Sequence, residues 1–577
     1  MRVVKHAQRE RWSSRMGVIM AVAGSAVGLG NFLRFPGQAA NYGGGAFMLA
    51  YFLSLLIIGL PICWAEWTMG RYAGHRGFNS SPGVFHCLLK WRYSKYLGVI
   101  GVVIPVIIYM YYVVIEAWCL GYAANFLAGA LHFHTAGSAG EFFGRFIGAS
   151  ADGSAAGFGL SQAGPYLLLV FLLNFVLIYR GVANGIELFC TWAMPVLLVL
   201  SLVILVRVLT LGAPDPAAPE NNVLNGLGFM WNPEKVLVEK NAGPHWEKVR
   251  EVVGAALIEA AKAEAAADST LRVRTVGIWE QLQKPQLWLA AAGQIFFSLS
   301  VGFGVVLTYA SYLSEKDDVV LSGLSATSAN EFFEVGLGGL ITLPAGFAFL
   351  GVAGVAGMST FALGFNVLPL VFCKMPMGWL FGAAFFFLLF LAAITSSLSM
   401  LQPGIAFLEE ALKIGRKQSV TVLGLITGAG TAFVFYFSKD LKALDTLDFW
   451  AGTFLIFILA TVQVLVFGWA FGVRRGLREA DKGAAFPVPP IFGPVIKYAC
   501  PAFLLAIFGM WVLVNVFGFR FGGGPAELSG YVKDLFVEPN PVAWMAVGMV
   551  LAFGGFVSLL VARAEAFSSK PSNKGAR

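Results

Sequence analysis

The sequence predicts an all-α membrane protein of about 12 transmembrane helices, built as two inverted five-helix repeats plus two added helices. Three observations carry this. The 577 residues are 58% hydrophobic and only 12% charged, outside the range of soluble domains. Apolar runs matching the roughly 20 residues that a hydrocarbon core of about 30 Å requires recur along the chain, as at 97–115, 188–211 and 378–394. Two apolar runs, the first and the sixth, are interrupted by glycine in corresponding places, at residues 24–30 and 300–304. Paired interruptions of this kind mark an inverted repeat with its binding site at the membrane midplane.

The expected spans, numbered 1 to 12, are 16–40, 45–69, 95–126, 165–180, 188–211, 287–313, 320–350, 377–411, 418–437, 447–473, 494–518 and 541–563. They divide the chain into a cytoplasmic leader with an inner gate (1–15), a first repeat (16–211), an extracellular insertion (212–286), a second repeat (287–473), and spans 11 and 12 with a cytoplasmic tail (474–577). Basic residues set the topology. Arg2, Lys5, Arg9, Arg11 and Arg15 precede span 1, Arg71, Arg76, Lys90, Arg92 and Lys95 follow span 2, and Arg474, Arg475 and Arg478 follow span 10. The positive-inside rule places these segments, and with an even number of spans both termini, in the cytoplasm. The net charge of +8 is spread over short loops, so it is not a nucleic-acid surface. No cleavable signal peptide is expected, because a basic leader precedes a long, interrupted apolar stretch. The sequon at Asn79-Ser80-Ser81 falls in a cytoplasmic loop, in keeping with a multi-pass protein of the plasma membrane, a bacterial inner membrane. Lipid is the first expected partner; a homodimer is left open.

Three connecting segments carry their own expectations. The insertion opens with Pro214, Pro216 and Pro219 and continues into an Ala/Glu/Lys-rich stretch at 246–268 of high helix propensity, which predicts a small soluble helical cap. The loop 131–164, rich in Gly, Ala and Ser, reads as flexible. The apolar segment 351–375 reads as re-entering or capping the bundle. The six cysteines show neither metal-ligand nor disulfide spacing and read as buried thiols. A membrane-embedded enzyme is disfavoured: His6, His75, His86, His132, His134 and His245 lie in the leader or loops, away from any nucleophile or metal cluster.

The chemistry concentrates in G-S-A-V-G-L-G-N-F-L-R-F-P, residues 24–36. Three glycines in seven residues, each costing about 1 kcal/mol relative to alanine, disfavour a continuous helix. An opened turn exposes carbonyls able to ligate a cation and N–H groups able to receive a carboxylate. The alternative is close helix packing through small residues, but Arg34 in an apolar span favours a functional segment. In span 6, Gln294 and Ser298 stand four apart on one face, and in span 8 Ala392, Thr395 and Ser396 point one way.

With R-E-R-W at 9–12, G-L-G-N-F-L-R-F-P at 28–36, E-W-x-M-G-R-Y at 66–72, Y-Y-x-x-I-E at 111–116, G-Q-I-F-F-S-L-S-x-G-F-G at 293–304, T-S-S at 395–397 and D-F-W-A-G-T at 448–453, the chain resembles the neurotransmitter:sodium symporter family, whose bacterial amino-acid transporters define the LeuT fold. The resemblance implies a sodium-coupled amino-acid symporter, not an enzyme, carrying two Na⁺ ions with its substrate. The first sodium site would comprise Asn31, Ser298, Asn330 and the Ala26 carbonyl. The second would use the carbonyls of Gly24, Val27 and Ala392 with the hydroxyls of Thr395 and Ser396. The N–H groups of Leu29 and Gly30 and the Tyr112 hydroxyl would hold the substrate carboxylate; the Ala26 and Phe297 carbonyls and Ser300 would hold its ammonium. Ile108, Phe297, Phe303, Ser396 and Met400 would enclose its side chain, and Gly28, where monoamine carriers have an acid, leaves room for an amino acid. Arg34 and Asp448 correspond to the outer gate, and Arg9 and Glu410 to the inner gate, with Trp12 and Tyr312 nearby. Glu334, where chloride-dependent members have Ser, implies chloride independence. Two departures are Glu410, an Asp in bacterial members, and Ser25, usually Asn. A non-transporting sensor or a ligand-gated channel on the same scaffold is the alternative reading.

Overall fold

The structure is a computed structural model and describes residues 12–42, 44–243, 245–520 and 528–567. Among these, nine helices are long and apolar enough to cross a membrane: Gly44–Gly74, Ser94–Leu127, Val182–Leu209, Val319–Leu350, Gly378–Leu412, Arg416–Tyr436, Lys439–Ala480, Phe492–Asn515 and Pro541–Arg563. A tenth is the bent pair Arg15–Ala26 and Gly30–Tyr42, which meet at 47°. The other two expected spans are shorter or divided. Span 4 is the apolar helix Gly164–Tyr179, and span 6 consists of Pro285–Leu299 and Val305–Ser311.

Spans 3 and 8 form the centre. They pack along their length, and 89% of the most apolar window of each is buried by protein, against 17% in span 12. The last span therefore belongs to the lipid-facing rim, where exposed Leu551, Phe556 and Leu559 suit hydrocarbon.

The two breaks have different local causes. In span 1 the helix continues through Gly24, Ser25 and Ala26 and stops only at Val27, whose ψ of 98° is extended; the glycine-rich stretch thus opens over fewer residues than its composition suggests. In span 6 the break covers the expected residues. Ser300, Gly302 and Gly304 all have positive φ, at 52°, 76° and 82°, a region that costs residues bearing a Cβ about 1–2 kcal/mol. Two of the three positions are glycine. Ser300 is the exception, held by the hydrogen bond of its hydroxyl to the Ser25 carbonyl at 3.0 Å. Glu66 of span 2 pins the centre of the break, accepting the Gly302 N–H at 3.2 Å and the Gln463 amide at 2.7 Å.

The insertion corrects the expectation of a helical cap. It contains a three-stranded antiparallel sheet, β1 (Lys235–Asn241), β2 (Trp246–Val252) and β3 (Leu271–Val276), in the order β2-β1-β3. Only Ala255–Ala267 is helical within the stretch read as helix. The reason is periodicity: W-E-K-V-R-E-V and L-R-V-R-T-V alternate apolar and polar residues, a strand pattern that the alanine-rich composition beside it obscured. Val238, Val252 and Ala261 form its small core. The loop 131–164 is also more ordered than expected, with a helix Ala136–Ile147 capped by Thr135 and burying Ala139, Phe143, Phe146 and Ile147. Segment 351–375 carries the apolar helix Thr360–Lys374, whose Leu363, Phe365, Leu368 and Leu370 are buried against the bundle. The six thiols are unpaired; Cys87 and Cys373 are only half-buried.

The positive φ at Gly304 makes a direct test of the break. A Cβ there would run into the Gly101 carbonyl oxygen, whereas one at Gly293 would meet nothing within 4 Å. Gly304→Ala is expected to cost roughly 1–3 kcal/mol and to lower the thermal unfolding midpoint of the purified protein, while Gly293→Ala leaves it unchanged or raises it.

Candidate functional site

The breaks in spans 1 and 6 face each other, and most of the residues singled out in the sequence gather around them. Asn31, Ser298 and Asn330 come together in a fully buried cluster with Glu334. Asn31 accepts the Gly28 N–H at 2.9 Å, which stiffens the turn, and donates to the Asn330 side-chain oxygen at 2.8 Å. Asn330 donates to the Ser298 hydroxyl oxygen at 2.5 Å and, more weakly, to Glu334 at 3.3 Å. Glu334 also accepts from Gln294 at 2.6 Å, from Asn31 at 3.4 Å and from Ser298. An ionised carboxylate with no water around it is tolerable only when its oxygens are met by such donors.

The second cluster lies where span 8 crosses the opened end of the first half-helix. The Ser396 hydroxyl stands 3.3, 3.2 and 3.5 Å from the carbonyl oxygens of Gly24, Ser25 and Val27, and 3.1 Å from that of Ala392. The first three are main-chain oxygens at the break, and that of Ala392 belongs to the same unbroken helix as Ser396. Thr395 bonds back to Leu391 and Ala392 of its own helix at 3.1 and 3.0 Å, and its Cβ would lie 3.2 Å from a Cβ built on Gly24. A small residue at 24 is what lets the two helices approach. Neutral oxygens of this kind suit a hard monovalent cation that must be released again.

Between the clusters, the Leu29 N–H donates to the Tyr112 hydroxyl oxygen at 3.3 Å, so two of the groups expected to hold a carboxylate converge. A Cβ on Gly28 would lie 2.9 Å from that hydroxyl and 3.0 Å from Ser396 Oγ. Ile108 and Met400 are buried one helical turn from Tyr112 and Ser396 on the same faces. The Phe297 and Phe303 rings meet edge to face with centroids 6.0 Å apart. Ala26 and Ser300 are buried, and Gly30 begins the second half of span 1.

Arg34 caps the junction from one side, its guanidinium 3.7 Å from the Phe297 ring centroid. Asp448 accepts the Tyr111 hydroxyl at 2.7 Å and is near enough to act electrostatically on Arg34, but among the described residues the two form no direct ion pair. At the opposite end, Glu410 accepts the Asn79 and Ser80 N–H groups at 3.1 and 2.9 Å, and its second oxygen is buried with no partner among the described residues. Arg9, its expected partner, lies outside the described residues. Trp12 donates to the Tyr309 carbonyl at 3.0 Å, and the Tyr312 hydroxyl accepts from Gln402 at 2.8 Å.

Several buried groups had no role assigned from sequence. Glu66 and Glu116 stand in the quoted motifs. Glu116 accepts from Asn174 at 3.0 Å, and Ser397 donates to the same Asn174 at 2.7 Å, bracing spans 3, 4 and 8 behind the second cluster. The half-buried Glu331, one turn before Glu334, takes the Tyr51 hydroxyl at 2.8 Å. The signal that could have found these is general: an ionisable residue inside an apolar span has a partner or a task.

Two broken membrane helices that face each other across oxygen-rich turns are the architecture of an ion-coupled transporter. The model of the sodium:neurotransmitter symporter family matches residues 9–141 and 257–559, and the chain belongs to that family: it is a sodium-dependent transporter. Similar curated proteins include uncharacterized sodium-dependent transporters of Methanocaldococcus jannaschii, 27% identical over 492 residues that cover 82% of this chain and 85% of the relative, and of Haemophilus influenzae, 26% identical over 523 residues that cover 87% and 98%. Among solved structures, MhsT in complex with L-phenylalanine is similar with a TM-score of 0.68 and 28% identity, over 87% of this chain and 99% of that one. The LeuT fold follows from this match.

The contact between Gly28 and its neighbours yields a prediction. Gly28→Ala places a methyl group at the meeting point of Tyr112 and Ser396, where a close-packed site has no room for it. Substrate affinity is expected to fall at least about tenfold, a loss of about 1.4 kcal/mol, with the unfolding midpoint of the purified protein little changed; calorimetric titration of wild type and variant checks both.

Proposed function

We propose that this protein is a sodium-coupled symporter of a small, apolar amino acid that works by alternating access, carries two Na⁺ ions per cycle and needs no chloride. The observation that carries this reading is the joining of two oxygen-rich clusters, around Asn31 and around Ser396, to one break in span 1 that also presents the Leu29 N–H beside Tyr112. A zwitterion seated there would set its carboxylate against Leu29, Gly30, Tyr112 and the first ion, and its ammonium against the Ala26 and Phe297 carbonyls and Ser300. The pocket, bounded by Ile108, Phe297, Phe303 and Met400, supports an apolar side chain, as does the phenylalanine bound to the similar MhsT.

In this reading spans 1, 2, 6 and 7 rock as a bundle against 3, 4, 8 and 9. Arg34 and Asp448 approach each other when the outer side closes, and the Glu410 region parts when the inner side opens. The driving force is sufficient. At about 2.3 kcal/mol per charge for each 100 mV, and about 1.4 kcal/mol for a tenfold gradient, two ions supply roughly 7 kcal/mol.

Two measurements test it. Labelled amino acids are expected to bind the purified protein in sodium and not in potassium, with medium apolar side chains preferred, and Asn31→Ala and Thr395→Ala should each weaken binding by more than about tenfold, the scale of one lost charge-assisted contact. Affinity that ignores both cation and substitution would refute the sodium assignment. The second concerns the fixed negative charge. Glu334 accepts from Gln294 at 2.6 Å, so Glu334→Ser removes a carboxylate and leaves its donors free to bind an anion. Substrate binding by this variant is expected to become chloride-dependent, whereas wild-type binding is the same in chloride and gluconate; chloride dependence of the wild type would overturn the reading.

A further inference from the structure

The segment just before span 1 is fastened to span 5 by a carboxylate that no gate described so far includes. Glu187 is 3% exposed and stands near the start of the helix Val182–Leu209. It accepts four hydrogen bonds from two consecutive residues: the Ser13 N–H and hydroxyl at 2.8 and 2.5 Å, and the Ser14 N–H and hydroxyl at 3.1 and 2.9 Å. The Ser14 hydroxyl has a second task. It caps the first half-helix by accepting the Gly17 N–H at 2.9 Å, so the carboxylate sits against the N-terminal, positive end of Arg15–Ala26. A Cβ on Gly17 would overlap the Glu187 side chain, so the glycine is what admits it.

The other ties of this segment run to different partners. Trp12 is bonded to Tyr309 of span 6, and Arg15 is paired with Asp318 at the start of span 7 at 3.2 Å. Spans 1, 6 and 7 belong to the rocking bundle proposed above, and span 5 does not. The Trp12 and Arg15 contacts can therefore travel with the half-helix, while the four bonds to Glu187 must break if its inner end is to leave span 5.

We infer that Glu187, Ser13 and Ser14 form an inner clasp, distinct from the Arg9–Glu410 gate, that keeps the cytoplasmic end of span 1 closed and whose release uncovers the second oxygen cluster. This rests on the alternating-access reading. The molecule contains its own reporter. Cys190 follows Glu187 by three residues, is fully buried, and its sulfur would lie 3.4 Å from a Cβ on Gly24, beside that cluster.

The test is the rate at which N-ethylmaleimide modifies Cys190 in the purified full-length protein, read by peptide mass mapping in potassium and in sodium. The expected result is labelling about tenfold faster in potassium for Glu187→Gln and for the double variant Ser13→Ala/Ser14→Ala, since charge-assisted bonds are lost in both. The buried thiols Cys63, Cys119 and Cys500 should keep their wild-type rates, and Ser13→Thr/Ser14→Thr, which retains both hydroxyls, should restore slow labelling. The serines are exposed, so the double variant remains informative if Glu187→Gln does not fold. Unchanged Cys190 labelling in the folded double variant, or equal acceleration of all buried thiols, would overturn the clasp. If the transport reading itself fails, wild type shows no sodium-dependent amino-acid binding, a result separate from the labelling rates.

Discussion

In hydrocarbon every main-chain N–H and C=O needs a partner within the protein, because water is not there to supply one. A break in a membrane helix is therefore costly at several groups at once, and this molecule places two such breaks side by side. What makes them tolerable is a set of side chains, most of them brought from other spans: Glu66 for the Gly302 N–H, Asn31 of the same span for the Gly28 N–H, Tyr112 for the Leu29 N–H, and Ser396 and Ser300 for carbonyls of residues 24–27. Those partners come from spans 1, 2, 3, 6 and 8. The packing of the whole bundle is thus tied to the need to satisfy a few interrupted residues.

The strength of these partners is graded. Around the second cluster the contacts are neutral and long, 3.1–3.5 Å from the Ser396 hydroxyl to four carbonyls, so a cation competing for those oxygens displaces little. Around Glu334 they are charge-assisted, with Gln294 at 2.6 Å, and such bonds are roughly twice as strong as neutral ones. The first cluster therefore has a carboxyl group behind it, and the second has none. The same span-1 turn touches both.

The fold was largely legible because membrane spans announce themselves by length and polarity, and each expected span has a helical counterpart, span 10 running longer, over Lys439–Ala480, than the expected 447–473. The site was legible for a different reason: glycines at 28, 30, 302 and 304 and polar residues at 31, 298, 330, 395 and 396 stand in otherwise apolar helices, where chance polar residues are rare. What escaped was of two kinds. The sheet of the insertion escaped because an alanine-rich helix at 255–267 dominated the composition of its neighbours, and a period-2 pattern seven residues long is faint beside it. Glu187, Glu116 and Glu331 escaped because a carboxylate reveals its role only through its partners, and Ser13, Asn174 and Tyr51 are 174, 58 and 280 residues away. Long-range pairing is a property of the packed bundle that no local spacing encodes.

The breaks also fix how movement can be transmitted. The half-helix Arg15–Ala26 has 12 residues, which at 1.5 Å per residue makes a rod about 18 Å long. At one end it joins the extended Val27, whose N–H still closes the last helical turn on the Ala23 carbonyl at 2.7 Å and beyond which the helical pairing stops. At the other it is held through Ser13 and Ser14 by Glu187. A rod hinged at one end and held at the other is a lever: turning it by about 20° would carry its far end about 6 Å, twice the reach of a hydrogen bond, while the hinge residues scarcely move. The main-chain oxygens that Ser396 meets at the break are thus at the pivot of the same rod whose far end Glu187 holds.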